Sequence, residues 1–268
     1  MGVAPELSGL TDCHAHLCDG SFAGDLGEVL ARARDAGVGA VVAVGETRAD
    51  AERNLELAEA YPGVVRPTAG LYPTHLDPAE AERVADLIRR ERPRLAAIGE
   101  VGLDRWKVRD ERDLAVQREI FASFIDLSIE VDLPLNVHSR SAGRYAIDVL
   151  RERGATRVQL HAFDGRAARA EPAVGAGYFF SVPPSVVRSP QKQKLVRRLP
   201  LSCLLLETDS PVLGPDRDQR NEPANAVASL RAIAEIKGLP VSEVAAAVRE
   251  NTARLYGGAE PAAGRHVS

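Results

Sequence analysis

Short apolar runs alternate with segments of helical spacing along the whole chain, and no low-complexity stretch or Gly/Ser linker divides them. The strand patterns fall at 10–16, 40–44, 64–71, 95–100, 134–138, 157–161, 177–182 and 203–207. Helical patterns follow at 26–36, 49–60, 78–90, 113–131, 143–152, 167–174 and 190–198, and two more, at 223–236 and 242–249, close the chain. Gly37 and Gly154 stop two of these helices, and Asp77 is placed to cap a third. Strict alternation of this kind implies a parallel sheet, because a strand can return parallel to its predecessor only through a crossover. Eight such units in 268 residues favour a closed (β/α)₈ TIM barrel over an open doubly wound sheet. No glycine-rich G-x-G-x-x-G follows the first strand, which removes the usual dinucleotide-binding alternative. The expectation is one α/β barrel domain over residues 1–268, with 260–268 as a flexible tail.

Composition narrows the class. Apolar residues make up 45% and charged residues 27% of the chain, the proportions of a water-exposed globular protein. There is no apolar run long enough to span a bilayer. Residues 1–10 have neither a basic n-region nor a long apolar stretch, so no signal peptide is expected there. The three cysteines, Cys13, Cys18 and Cys203, form no disulfide framework, which fits a cytoplasmic location. A net charge of −4 argues against a surface coated with basic patches for duplex binding, but not against a local phosphate-binding cleft.

In a barrel of this type chemistry gathers at the C-terminal ends of the strands. His14 and His16 end the first strand, one residue apart, so that in extended backbone both face one side. Glu100 ends the fourth strand, His138 the fifth, His161 the sixth, and Glu207-Thr208-Asp209 closes the eighth. A lone strand-end histidine is more often structural than a ligand. Recurrence at equivalent points of the repeating unit makes a shared site the economical explanation. His266 lies in the terminal tail and His75 follows the third strand. The set His14, His16, Glu100, His138, His161 and Asp209 offers only nitrogen and oxygen donors, which suit zinc, manganese, magnesium, iron or nickel. Six donors exceed what one catalytic ion with an open position uses, and they fit two divalent ions joined by a carboxylate.

The motifs Thr11-Asp12-Cys13-His14-Ala15-His16, Ile98-Gly99-Glu100-Val101-Gly102-Leu103-Asp104, Pro134-Leu135-Asn136-Val137-His138-Ser139-Arg140, Leu160-His161-Ala162-Phe163-Asp164-Gly165 and Glu207-Thr208-Asp209-Ser210-Pro211 together resemble the TatD family of metal-dependent deoxyribonucleases, in the family's order. Ser139-Arg140-Ser141-Ala142-Gly143-Arg144, residues 177–194 and Arg220-Asn221-Glu222-Pro223 bring the resemblance nearer to the third vertebrate TatD-domain branch. The resemblance implies a TIM-barrel hydrolase of the metal-dependent type, cleaving DNA phosphodiesters from the 3′ end, single strands being favoured. By position, His14, His16 and Asp209 would hold one ion, His138 and His161 the second, and Glu100 would bridge them. Glu100 and Asp209 are the catalytic candidates, Asp209 as the group that orients the attacking water or takes its proton. In many family members two histidines follow the third strand. Here Gly70-Leu71-Tyr72-Pro73-Thr74-His75 puts Tyr72 and Thr74 in their places and shifts His75 by one, which bears on substrate preference rather than on the metal centre.

Arg140, Tyr72, His75 and Trp106 are the candidate substrate contacts: Arg140 for phosphate, Trp106 for stacking on a base. Asp104 is expected to cap its loop or support a ligand. Arg188, Lys192, Lys194, Arg197 and Arg198 form a basic run, read as a solvated helix face. Phe163, Tyr178, Phe179 and Phe180 are expected in the core. The partner is DNA, with no membrane, and the chain is expected to act as a monomer. Two further readings stay open: a metal-dependent amidohydrolase or phosphoesterase acting on a small molecule, and a non-catalytic nucleic-acid-binding module.

Overall fold

The computed structural model describes residues 7–257. His266 and the expected tail lie outside them. Eight strands, β1 (Leu10–Ala15), β2 (Val38–Ala43), β3 (Val65–Ala69), β4 (Ala97–Gly102), β5 (Leu135–His138), β6 (Val158–Leu160), β7 (Phe179–Val182) and β8 (Leu204–Leu206), pair in chain order, each neighbouring pair parallel. Helices α1 (Leu26–Asp35), α2 (Arg48–Ala60), α3 (Pro78–Glu91), α4 (Glu111–Val131), α5 (Gly143–Glu152), α6 (Ala167–Gly175) and α7 (Pro190–Arg198) connect the strands, and α8 (Ala226–Lys237) and α9 (Val241–Tyr256) follow β8. This is the expected (β/α)₈ barrel.

The barrel closes where β1 meets the segment after β8. Ala15 bridges Ser210, Asp209 N–H donates to His14 O at 2.8 Å, and His16 N–H donates to Ser210 O at 2.8 Å. The buried Asp12 carboxylate accepts from Thr208 N at 2.8 Å and from its hydroxyl at 2.5 Å, fastening the same seam. Three steps along β1, from Asp12 to Ala15, match two along β2, from Val41 to Ala43. That extra residue is a bulge, and it breaks strict alternation around Cys13 and His14. Cys13 packs with Val42, Phe179, Leu205 and Tyr256, its sulfur 3.7 Å from Thr252 of α9.

The helix starts follow local chemistry. Thr47 and Asp50 form a capping box on α2, Asp77 caps α3 ahead of Pro78, and Asp110 caps α4. Asp110 is why α4 begins at Glu111, two residues before the sequence pattern suggests. The larger difference is α9, which runs to Tyr256 instead of ending at Arg249. Asn251 and Thr252 are poor helix formers, but Asn251 donates to Leu201 O and Leu204 O, and Thr252 donates back to Val248 O. Leu255 and Tyr256 are thereby carried onto the barrel floor, both buried. The Tyr256 hydroxyl donates to Gln159 Oε1 at 2.5 Å and accepts from Asn136 Nδ2 at 3.2 Å. Arg66 and Arg157 donate to the last carbonyls of α9, at Tyr256 and Leu255.

The main core lies between strands and helices, where Val41, Ile98, Val137, Leu160, Phe180 and Leu206 face residues such as Ile88, Phe121, Ile125, Leu150 and Ile233. Phe163, Tyr178, Phe179, Phe180 and Cys203 are buried, as expected.

Candidate metal centre

At the C-terminal mouth of the barrel His14, His16, His138, His161 and Asp209 gather around the Glu100 carboxylate. Glu100 Oε1 lies 2.7 Å from His138 Nδ1 and 2.9 Å from His161 Nε2. Its Oε2 lies 3.5 Å from His16 Nε2 and 3.7 Å from His14 Nε2. Those two nitrogens are 3.4 Å apart, and Asp209 Oδ1 stands 3.4 and 3.5 Å from them. Glu100 therefore presents one oxygen to each pair of histidines.

Four donors around an ion at about 2.1 Å stand about 3.4 Å from one another in a tetrahedral shell. His14, His16 and Asp209 have that spacing among themselves, and Glu100 Oε2 stands 3.7 and 3.5 Å from the two imidazoles. The set of His138, His161 and Glu100 Oε1 is tighter, at hydrogen-bond distance. Glu100 Oε2 is buried and has no hydrogen-bond partner among the described residues. That oxygen makes no hydrogen bond although His16 stands 3.5 Å away, and a cation between it and the two imidazoles would satisfy it. The donor chemistry and this orphaned oxygen both fit a divalent ion.

Two of the histidines, His14 and His138, are aimed by partners on their far nitrogens. His14 Nδ1 is 2.8 Å from Asn136 Oδ1, which leaves the Nε2 lone pair facing the cluster. His138 Nε2 is 3.3 Å from Asp104 Oδ2, whereas the buried His161 Nδ1, 4.0 Å from Glu207 Oε2, has no hydrogen-bond partner among the described residues. Imidazole ligands are commonly held as His14 and His138 are. Asn136 and Glu207 are supporting residues that the sequence reading missed. Both sit two residues before a candidate ligand, His138 and Asp209, and period-two alternation was the available signal. Glu207 is fully buried, accepting from Ala162 N–H and the Ser181 hydroxyl. Ala162 and Asp209 both hold φ in the left-handed region, at 42° and 55°, uncommon for residues with a Cβ.

Electrostatics separate the imidazoles. Burial, together with the charge of His161, pushes His14 down to about 3, so its ring is neutral. Burial also opposes charging of His16 and His138, but the Asp209 hydrogen bond and Glu100 hold His16 up at about 9, and Asp104 and Glu100 hold His138 at about 9. Burial alone would raise Glu100, yet His161 and His138 keep it well below the usual carboxylate range. Asp209 is likewise lowered against the effect of burial by His16, His14 and His161.

A cavity of about 410 Å³ opens over the cluster, lined among others by His16, Tyr72, Glu100, His138, Arg140, His161, Lys192 and Asp209. Tyr72 is buried and its ring meets His138 edge-on at 4.9 Å. Arg140 is exposed and forms no ion pair among the described residues. Trp106 stands outside the cavity wall beside Arg140, the guanidinium carbon 5.2 Å from its ring centre. Of the expected substrate contacts, Tyr72 and Arg140 line the cavity and His75, like Trp106, does not. His75 is exposed and faces a separate crevice with Pro73, Gly102 and Gln117, because the turn after β3 spends its inward position on Tyr72. Lys192 departs from its expected place on a solvated helix face. The first turn of α7, capped by Ser189, directs its ammonium into the cavity, where it donates to Ala162 O at 3.1 Å. Arg198 of the same basic run pairs outward with Glu171.

The family model described as "TatD related DNase" matches residues 11–257. A human protein named "Deoxyribonuclease TATDN3" is 46% identical over 260 residues, covering 92% of this chain and 94% of the relative. A protein of Erwinia tasmaniensis named "3'-5' ssDNA/RNA exonuclease TatD" is 31% identical over 258 residues, with 91% and 98% covered. The solved structure of YJJV, a TatD homologue of Escherichia coli, superposes with a TM-score of 0.86 at 29% identity, over 94% of this chain and 99% of that one.

Proposed function

The chain belongs to the TatD related DNase family, and we propose that it is a deoxyribonuclease that uses two divalent ions held at the barrel mouth. The observation that carries this reading is the position of Glu100, one oxygen toward His138 and His161 and the other, buried and unpaired, toward His14 and His16. Bound ions would supply Lewis acidity and an activated water for an in-line displacement at phosphorus.

The protein's own groups define the rest. His14, His16 and Asp209 form one ligand set and His138 and His161 the other, with Glu100 shared. Asp209, ionised and bordering the cavity, orients the attacking water and accepts its proton. Arg140 and Lys192, on the cavity wall, receive the non-bridging oxygens of the scissile phosphate. Tyr72 closes the wall against His138 and limits how deeply a substrate enters. The substrate is DNA, single-stranded and cut from its 3′ end. The activity named for the Erwinia relative supports this direction. The chain works as a monomer in the cytoplasm. No helix of the described residues is long and apolar enough to cross a membrane.

Digestion of 3′- and 5′-labelled single- and double-stranded DNA tests this. Protein stripped with chelator should be inactive and should recover with added Mn²⁺, Mg²⁺ or Zn²⁺, shortening single strands stepwise from the 3′ end. Metal-dependent turnover of amides or esters, with no phosphodiester cleaved, would contradict it.

A further inference from the structure

Next to the cavity, two loops bring together aromatic and cationic side chains of which the hydrolytic site uses only Arg140. The β4–α4 loop carries Arg105, Trp106, Lys107 and Arg109, and the first turn of α5 carries Arg144 and Tyr145. Trp106 is 54% exposed and Tyr145 39%. Guanidinium groups stack on both rings. Arg140 and Arg109 lie 5.2 and 5.7 Å from the Trp106 centre, and Arg105 and Arg144 lie 3.9 and 4.9 Å from that of Tyr145. Arg105, Lys107, Arg109 and Arg140 have no carboxylate partner among the described residues, and Arg144 reaches only Asp148, at 3.9 Å. The chain as a whole is acidic, at −4, so this concentration of unpaired cations is local.

We propose that Trp106 and Tyr145, with their arginines, form a stacking platform for unpaired bases next to the scissile phosphate, extending the active site along a single strand. The platform rests on the reading of the cavity as a phosphodiesterase site. Three features support it. First, the two loops are joined as one surface, since Arg105 N–H donates to Arg140 O at 3.0 Å. Second, the surface is tied to the ligands. Asp104 Oδ1 accepts from Trp106 N at 2.7 Å and Lys107 N at 2.8 Å, while its Oδ2 faces His138 Nε2 at 3.3 Å. A base seated on Trp106 is thus in register with the site through one carboxylate. Third, Arg140 belongs to both surfaces, lining the cavity and stacking on Trp106, so the cationic path is continuous with the phosphate position. Aromatic rings flanked by arginine suit single strands, whose bases offer free faces to stack and whose phosphates offer negative charge. In a duplex those faces are already occupied.

Trp106 is the chain's one tryptophan, so its emission reads the platform without a label. Titration of the metal-loaded protein with a phosphorothioate-linked octathymidylate, which resists cleavage, should quench that emission at the concentrations where a fluorescein-labelled copy gains anisotropy. Trp106→Ala and Tyr145→Ala should each weaken octamer binding by roughly fivefold or more, the effect of losing one base–aromatic stack. Each should also lose at least that factor more in kcat/KM on a single-stranded octamer than on thymidine 5′-(p-nitrophenyl phosphate), which is too short to reach the platform. Octamer binding without a change in emission, or variants that lose the two substrates equally, would overturn the platform and leave the phosphodiesterase reading intact. Failure of the metal-loaded wild type to hydrolyse the small diester would instead strike at that reading.

Discussion

His14 and His138 each turn one nitrogen toward Glu100 and the other toward a hydrogen-bonding group, Asn136 and Asp104. Asn136 is the most consequential supporting group, because it faces His14 Nδ1, donates to Cys13 O at 2.9 Å and reaches the Tyr256 hydroxyl. Asn136→Ala should weaken divalent-metal binding by about 10–100-fold, the usual effect of removing an orienting partner. Competition with a chromophoric chelator measures this, and unchanged affinity would show that His14 does not need its partner. The six candidate donors were legible in the sequence, since strand ends are where a barrel collects chemistry and all six fell there. Asn136 and Glu207 were legible only in principle, through period two. Lys192 was not, because a basic residue on a basic helix looks solvated until the cap at Ser189 sets the helix direction.

At the scale of elements, close backbone approach under the site does what side-chain pairing does elsewhere. Gly102 has φ +147°, and a Cβ built there would lie 2.0 Å from His138 O. Backbone cannot yield as a flexible side chain can, so β4 and β5 would have to part. Gly102→Ala should destabilise the fold by about 1–3 kcal/mol, the typical penalty of overpacking, and displace His138 from Glu100. A denaturation midpoint equal to wild type would refute this. Helix α9 behaves differently. Its last turn was illegible in sequence, since Asn251 and Thr252 carry low helix propensity and their compensating bonds to Leu201, Leu204 and Val248 are tertiary. Tyr256→Phe removes the hydroxyl shared by Gln159 and Asn136 and should cost about 1–3 kcal/mol, the price of buried polar groups left unpaired. Equilibrium unfolding in urea measures that loss, and none is expected if water can reach the floor of the barrel.

For the whole molecule, the alternation of strand and helix dictated the barrel, and the barrel dictated where six distant residues meet. His14 and Asp209 are far apart in sequence, yet closure of β1 on the segment after β8 sets Asp209 N–H 2.8 Å from His14 O. What sequence could not supply is the placement of loops relative to one another: that His75 misses the cavity, that Arg140 meets Trp106, and that Tyr145 joins them. Those contacts depend on tertiary geometry across different βα units, which no local pattern encodes. In the proposed reading, Glu100, shared between two sets of candidate ligands, makes the mouth a metal-dependent phosphodiesterase. The most direct test of that reading is kcat/KM for single-stranded DNA with saturating Mn²⁺, in wild type and in Glu100→Gln. Loss of a directly shared ligand should exceed the effect of losing an orienting partner, so the variant is predicted to fall by more than about a hundredfold while its circular dichroism matches wild type. A Glu100→Gln enzyme that cleaves DNA at the wild-type rate would show that the shared carboxylate is not needed for the reaction.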